Sequence, residues 1–113
     1  MSDKILIVDD EVEIADLIEV YLSNENFTIL KFYSAKDALA CINTTELDLA
    51  ILDVMLPDID GYEVCKKIRE FSHCPILFLS SKNDELDKIL GLAVGGDDYV
   101  TKPFSPKEIA YRV

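Results

Sequence analysis

The feature that most constrains the fold of this chain is the alternation of short apolar runs with segments of helical period. Continuous apolar runs stand at Ile5–Val8, Leu49–Leu52 and Ile76–Leu79, and weaker candidates stand at Tyr99–Val100 and Phe27–Phe32. A run that is apolar at every position suits a strand covered on both faces, as in a parallel sheet between layers of helices. The runs therefore predict five strands of one such sheet.

The segments between these runs carry apolar residues at helical spacing. The first four stripes are Ile14, Leu17, Ile18, Tyr21 and Leu22; Ala35, Ala38, Leu39 and Ile42; Val64, Cys65 and Ile68; and Leu86, Ile89, Leu90 and Ala93. A fifth helix is predicted to begin at Ser105, with Glu108 reaching back to cap it. Five strand–helix repeats predict an α/β fold, with a doubly wound five-stranded parallel sheet and five helices.

Length and charge limit the classes of protein to which the chain can belong. Its 113 residues suit one domain, residues 1–113. The last helix has room for only about two turns, so we expect that it is truncated and that a further domain follows it. A net charge of −11, from 22 acidic and 11 basic residues, argues against nucleic acid binding through the domain's own surface.

Cysteine usage and the start of the chain predict a cytoplasmic location. Cys41, Cys65 and Cys74 form no close pair and lack the spacing of metal ligands, which indicates reduced thiols. The amino terminus, Met-Ser-Asp-Lys, leads directly into a short strand-like run and lacks the long apolar stretch typical of a signal peptide or a membrane span. No membrane partner is therefore expected.

Polar residues follow four of the predicted strands at the point where each strand ends. Asp9 and Asp10 follow the first, Asp53 the third, Ser80 the fourth and Lys102 the fifth. Because ligands of open parallel sheets bind at the carboxyl ends of the strands, these side chains are expected to share one site. Three neighbouring carboxylates repel one another unless a cation lies among them, and Mg²⁺ prefers such oxygen ligands.

A metal ion with open coordination positions favours phosphoryl chemistry. Asp53 lies on the central strand and is the best candidate to accept a phosphoryl group as an acyl phosphate. Lys102 would offset the charge of that group, and Ser80 would donate a hydrogen bond to one of its oxygens.

Each of these residues also has a simpler interpretation. Asp9 or Asp10 would serve as a helix cap, and Asp53 as a turn residue. Lys102 would be a solvated surface lysine, and Ser80 would cap the next helix. Each simpler interpretation explains one residue, whereas a shared site explains all of them together.

Three segments carry a family resemblance. Ile5–Glu11 (ILIVDDE), Leu49–Pro57 (LAILDVMLP) with Asp60–Gly61, and Asp97–Phe104 (DDYVTKPF) resemble the receiver domain of two-component response regulators. The resemblance extends over the whole chain. DDYVTKPF is similar to the OmpR/PhoB subfamily, which carries a winged-helix DNA-binding domain after the receiver, and the first 22 residues are similar to VanR-type regulators of glycopeptide resistance.

The resemblance implies a flavodoxin-like (CheY-like) strand order 2-1-3-4-5 and a role for each matching residue. Asp53 would be the phosphoacceptor. Asp10 and Asp53 would bind Mg²⁺ (or Mn²⁺) by their side chains, Met55 by its backbone carbonyl, and Asp9 through water. Lys102 would pair with the phosphoryl group. The domain would catalyse only its own phosphorylation and dephosphorylation and would otherwise not be an enzyme.

The resemblance also implies a switch. Ser80 would move toward the phosphoryl group, Tyr99 would turn into the vacated space, and the face formed by the fourth helix, fifth strand and fifth helix would change shape. The partners implied are a sensor histidine kinase, a second copy of the chain upon phosphorylation, and DNA only through the winged-helix domain. The residues that match the dimer face are Lys88, Asp97, Asp98, Glu108 and Arg112, which would otherwise be ordinary solvated charges.

Three other functions fit part of this pattern less well than the receiver. A phosphohydrolase with an aspartyl nucleophile usually has a second Asp two residues later, but Met55 stands there. A flavodoxin-like FMN domain would have a Ser/Thr/Gly-rich phosphate loop after the first strand, but Asp9 and Asp10 stand there and repel phosphate. A purely structural interaction domain would not be expected to bind a metal.

Overall fold

The computed structural model describes residues 3–23, 27–42, 46–80 and 95–101. Within them the chain forms strands β1 (Lys4–Val8), β2 (Thr28–Phe32), β3 (Leu49–Asp53), β4 (Ile76–Ser80) and β5 (Asp98–Thr101), and helices α1 (Val12–Ser23), α2 (Ala35–Ile42) and α3 (Gly61–Arg69). All five predicted strands are present. The predicted fourth and fifth helices lie outside the described residues.

The strands form one parallel sheet in the order β2-β1-β3-β4-β5, which confirms the predicted flavodoxin-like order. The chain leaves β1 toward β2 and later crosses to β3 on the other side, so the strand order reverses at β1 and β3. The ends of the strands are aligned, since Val8 is paired with both Phe32 and Leu52, and Asp53 with Leu79. In open sheets of this kind, the crevice that binds ligands lies at the reversal point, here at the carboxyl ends of β1 and β3.

Alternate residues of the strands belong to two apolar layers, one on each face of the sheet. Leu6, Leu52 and Phe78 belong to the layer that α2 and α3 cover. Ile7 and Ile51 belong to the layer that α1 covers. Both faces are covered, which explains why the apolar runs are continuous: every residue of β4 is buried.

The buried stripe of α1 differs from the predicted one at Ala15, which is buried and was not predicted, and at Leu17. Ala15, Ile18 and Leu22 form the buried line, whereas Leu17, which the helical period assigned to the same face, is 46% exposed. Leu17 lies about 100° around the helix from Ile18, which places it at the border of the buried stripe rather than within it. The prediction for Leu17 was therefore wrong.

The edge strand β2 is tied to α1 by a charged cluster. The Lys31 ammonium binds Asp16 (Oδ1, 2.6 Å) and Glu19 (Oε1, 2.8 Å), and the Tyr33 hydroxyl donates to the same Asp16 oxygen (2.7 Å). The hydrogen bond to Asp16, and then that to Glu19, raises the pKa of Lys31, and the bond from Lys31 lowers the pKa of Asp16. A lysine on an edge strand also discourages pairing with other chains.

In the described part of the chain, none of the helices has the length and apolar character that crossing a membrane would require.

Candidate functional site

Three carboxylates meet in the crevice at the ends of β1 and β3. Asp9, Asp10 and Asp53 each place one oxygen within 4.8 Å of the others. Asp9 is fully buried, Asp53 is only 2% exposed, and Asp10 is exposed. The structure thus brings together the acidic groups that the sequence placed after the first and third strands.

Asp9 is fixed by its backbone and by its side chain at the exit from β1. Its N–H donates to the carbonyl of Phe32 (3.2 Å), and its Oδ1 accepts the N–H of Glu11 (2.9 Å). The Glu11 carbonyl in turn accepts the N–H groups of Ile14 and Ala15 in the first turn of α1. Asp9 therefore helps to turn the chain into α1, and its membership of the carboxylate cluster is a second role beside that one.

Asp53 ends β3, and the loop that follows it, residues 54–60, folds back onto it. One carboxylate oxygen accepts the N–H of Met55 (3.1 Å). The N–H of Gly61 donates to the Val54 carbonyl (3.0 Å), so that α3 begins directly against the backbone of Asp53. A Cβ at position 61 would overlap with the carbonyl oxygen of Asp53 and lie 2.9 Å from its carbonyl carbon. Only glycine permits this approach, and the sequence analysis did not predict it.

The chemistry of these groups fits a small divalent cation. Carboxylate oxygens are hard ligands, and Mg²⁺ is usually bound by one or two of them together with waters. Asp9 and Asp53 are buried, whereas Asp10 is exposed and leaves one side of the cluster open to solvent. Met55, the predicted carbonyl ligand, is 54% exposed on the same loop. The residues present therefore suit a hydrated divalent cation.

The predicted switch residues lie on the next two strands. Ser80 is fully buried and is one residue beyond Leu79, the strand partner of Asp53. Tyr99 pairs with Phe78 in the sheet, and their rings lie 6.3 Å apart. The Tyr99 hydroxyl is buried and has no hydrogen-bond partner among the described residues. Ser80 thus reaches the edge that holds Asp53, and Tyr99 packs inward.

Of the predicted dimer-face and phosphoryl-binding residues, Lys88, Lys102, Glu108 and Arg112 lie outside the described residues. Asp97 and Asp98 are described, and both carboxylates have partners within the chain. Asp97 Oδ2 accepts from Arg69 (3.0 Å) and from the N–H of Ile76 (2.8 Å). Asp98 Oδ1 accepts the N–H of Tyr99 (2.8 Å).

Arg69, at the end of α3, is a structural residue that the sequence analysis missed. Its guanidinium donates to the carbonyls of Cys74 (2.6 Å) and Gly95 (2.6 and 3.1 Å) as well as to Asp97. Gly95 has a φ of 112°, a conformation that L side chains rarely adopt. Arg69 therefore holds the segment before β5 through the carbonyl of Gly95.

Comparison with known proteins identifies the family. The model of the response regulator receiver domain matches residues 5–113. Regulatory protein VanR of Enterococcus faecium is 60% identical over all 113 residues, and regulatory protein VanRc of Enterococcus gallinarum is 53% identical. The alignment covers 100% of this chain and 49% of each relative, so the chain spans about half the length of these curated relatives.

Solved structures agree with this assignment. The BeF3-activated DrrB receiver domain superposes with a TM-score of 0.92 at 34% identity, covering 99% of this chain and 94% of that one. DrrB is described as a Thermotoga maritima OmpR/PhoB homologue. The chain is similar to VanR and to a receiver of the OmpR/PhoB type. Its fold and its sequence show that it belongs to the receiver domains of two-component response regulators.

Proposed function

We propose that this receiver accepts a phosphoryl group on Asp53 in a reaction that requires Mg²⁺ or Mn²⁺. The observation that carries the proposal is the convergence of Asp9, Asp10 and Asp53 within 4.8 Å in a crevice, with Asp53 nearly buried on the central strand. The activation of the similar DrrB receiver by BeF3 supports it.

Different groups of the chain would have different roles in the phosphoryl transfer. A carboxylate oxygen of Asp53 attacks phosphorus and forms an acyl phosphate, while the bond from phosphorus to the donor breaks. Asp10, Asp53 and the Met55 carbonyl would hold the cation, Asp9 would act through water, and the cation, when bound, would offset the negative charge of the transferred group. We propose that Lys102 offsets that charge from the other side. The domain acts on no other substrate in this scheme.

The phosphoryl donor and the response to phosphorylation would involve groups outside this chain. We propose that a cognate sensor histidine kinase supplies the phosphoryl group, that phosphorylation promotes a symmetric homodimer, and that a winged-helix domain beyond this chain binds DNA. Within the receiver, Ser80 would respond to phosphate at Asp53, and Tyr99 would follow. Since Asp97 already binds Arg69, a role for Asp97 in a dimer would have to add to that ion pair or replace it.

Acetyl phosphate tests the assignment of Asp53. We expect wild-type protein incubated with acetyl phosphate and Mg²⁺ to gain one phosphoryl group by intact mass, and Asp53→Ala to gain none. Asp48→Ala is the matched control, because Asp48 is an exposed carboxylate at the opposite end of the sheet, and it should react like wild type. Chelation of the metal should abolish the reaction. An adduct of equal yield on Asp53→Ala would contradict the assignment.

Mg²⁺ should also stabilise the fold. An ion that binds only the folded chain raises the free energy of unfolding by about 1.4 kcal/mol when it is present at about ten times its dissociation constant. Urea unfolding with and without Mg²⁺, followed by circular dichroism, measures the increase. Asp10→Asn and Asp53→Asn should lose it, whereas Asp48→Asn should keep it. The proposed metal site is wrong if Mg²⁺ stabilises Asp53→Asn as much as it stabilises wild type.

A further inference from the structure

A second carboxylate beyond β3 binds the backbone of a different helix. Asp58 lies three residues beyond Met55, and its two oxygens accept hydrogen bonds from the N–H groups of Ala35 (3.2 Å) and Lys36 (2.8 Å). These are the first two residues of α2, and N–H groups there have no partner within their own helix. Asp58 therefore caps a helix that lies 22 to 23 residues earlier in the sequence.

The charge of Asp58 suits this position. The backbone N–H of Lys36 is the main cause of a lowered pKa for Asp58, and it outweighs the opposing effect of desolvation. A negative charge at a helix amino terminus is favourable. Ser34 caps the same turn differently, because its hydroxyl accepts the N–H of Asp37 (3.3 Å). The two caps thus satisfy different N–H groups of α2.

The Asp58 cap joins the two sides of the carboxylate cluster. On one side, β2 ends at Phe32, whose carbonyl holds the N–H of Asp9 (3.2 Å), and α2 begins three residues later. On the other side, the N–H of Met55 donates to the carboxylate of Asp53 (3.1 Å). The bonds from Asp58 to α2 connect the loop that carries Met55 with the segment that fixes Asp9.

Other contacts hold the ends of this loop. At its start, the N–H of Val54 donates to the carbonyl of Leu79 (3.0 Å). At its end, the carboxylate of Asp60 caps α3 by accepting the N–H of Glu63 (3.0 Å). Asp58 anchors the stretch between these ends, in which Met55 and Pro57 are exposed.

We propose that Asp58 is a positioning residue, which ties the loop after β3 to α2 and so keeps Met55 beside the carboxylate of Asp53 for cation binding. The inference rests on the proposed function, because the Met55 carbonyl is a proposed ligand of the cation. Asp58 itself touches neither the cation nor the phosphoryl group in this scheme.

Two variants and a control test the inference. Asp58→Ala removes both hydrogen bonds to α2, and Asp58→Asn keeps one acceptor oxygen. Asp48→Ala is the control, because the Asp48 carboxylate also accepts a backbone N–H, that of Lys4 (2.7 Å), but at the far end of the sheet. Isothermal titration with Mg²⁺ measures affinity, and NMR hydrogen exchange at the Met55 amide reports whether the loop has loosened.

We expect the Mg²⁺ dissociation constant of Asp58→Ala to rise roughly three- to tenfold, below the effect of losing a direct hydrogen-bond partner of a ligand. The dissociation constant of Asp58→Asn should lie between those of Asp58→Ala and wild type. Hydrogen exchange at the Met55 amide should be faster in both Asp58 variants. Asp48→Ala should match wild type in its Mg²⁺ affinity and in its exchange rate.

Unchanged Mg²⁺ affinity in Asp58→Ala, beside normal binding by wild type, overturns the inference and leaves the proposed function standing. An equal loss of affinity in Asp48→Ala also overturns it, because general destabilisation would then explain the effect. Absence of Mg²⁺ binding by wild type overturns the proposed function, and this inference with it.

Discussion

Replacement of Gly61 by alanine is expected to lower the free energy of unfolding by about 3 kcal/mol, at the upper end of the range for overpacked sites. The added Cβ would overlap with the carbonyl oxygen of Asp53 and lie 3.0 Å from the Cα of Val54. Both neighbours are backbone atoms at the end of a buried strand, so they have little freedom to move. Urea unfolding measures the loss.

A control separates this overlap from the general effect of glycine in a helix. On helix propensity alone, Gly61→Ala, at the first position of α3, would gain at most about 1 kcal/mol, and Ala40→Gly, at an exposed position of α2, should lose about 1 kcal/mol. The two substitutions would then change the free energy of unfolding in opposite directions. The packing argument fails if Gly61→Ala is as stable as wild type.

The same substitution should also weaken the site. Relief of the overlap requires α3 to move away from the backbone of Asp53, and the loop that carries Met55 spans the same two points. Mg²⁺ affinity should therefore fall in Gly61→Ala even in conditions where the variant is fully folded. Normal affinity would mean that the strand and the loop keep their positions and that α3 alone yields.

The fold was predictable because its signal is local and repeated. Each continuous apolar run, such as Ile76–Leu79, marks a strand that is buried on both faces, and such strands alternate with helices in only a few topologies. The carboxylate cluster was predictable from the same pattern, because Asp9 and Asp53 directly follow such runs. The boundaries of the described strands differ from the predicted ones by one residue.

The contacts that were missed join residues far apart in the sequence and have no periodic signal. Asp58 caps α2 across 23 residues, and Arg69 reaches Gly95 across 26. In the sequence alone, Asp58 is a polar residue of a loop, and Arg69 is a charged residue at the end of a helix. The prediction that Leu17 is buried was wrong for a related reason. Helical period gives the direction of a side chain but not the width of the surface that covers it.

These unpredicted contacts surround Asp53. The sequence brings Asp9 and Asp53 to one edge, and the structure adds that the Met55 N–H binds the Asp53 carboxylate, that Gly61 lies against the Asp53 backbone, and that Asp58 ties the same loop to α2. The residues of the candidate chemistry were therefore visible in the sequence, whereas the residues that position them required the structure.

The second large effect is expected among the aromatic residues behind the site. Phe78→Ala should lower the free energy of unfolding by about 3 to 5 kcal/mol. Phe78 is fully buried on β4, where its ring packs edge-on against Tyr62 of α3, with ring centroids 5.1 Å apart, and against Tyr99 of β5. Truncation leaves a cavity between a helix and two strands. Urea unfolding should show the corresponding decrease in the free energy of unfolding.

Phe71→Ala is the matched control, because Phe71 is 64% exposed and its truncation should cost only about 0.5 kcal/mol. Comparable losses for the two variants would contradict the packing argument.

Phe78→Leu extends the test to the proposed switch. Leucine fills much of the cavity, so this variant should lose only about 1 to 2 kcal/mol and remain folded. It removes the ring on which Tyr99 packs, and Ser80, two residues further along β4, keeps its place beside the strand partner of Asp53. Phosphorylation at Asp53 should therefore persist, while the NMR signals of the Tyr99 ring should no longer respond to it as they do in wild type. A wild-type response of Tyr99 in Phe78→Leu would show that the Phe78 ring has no part in the signal.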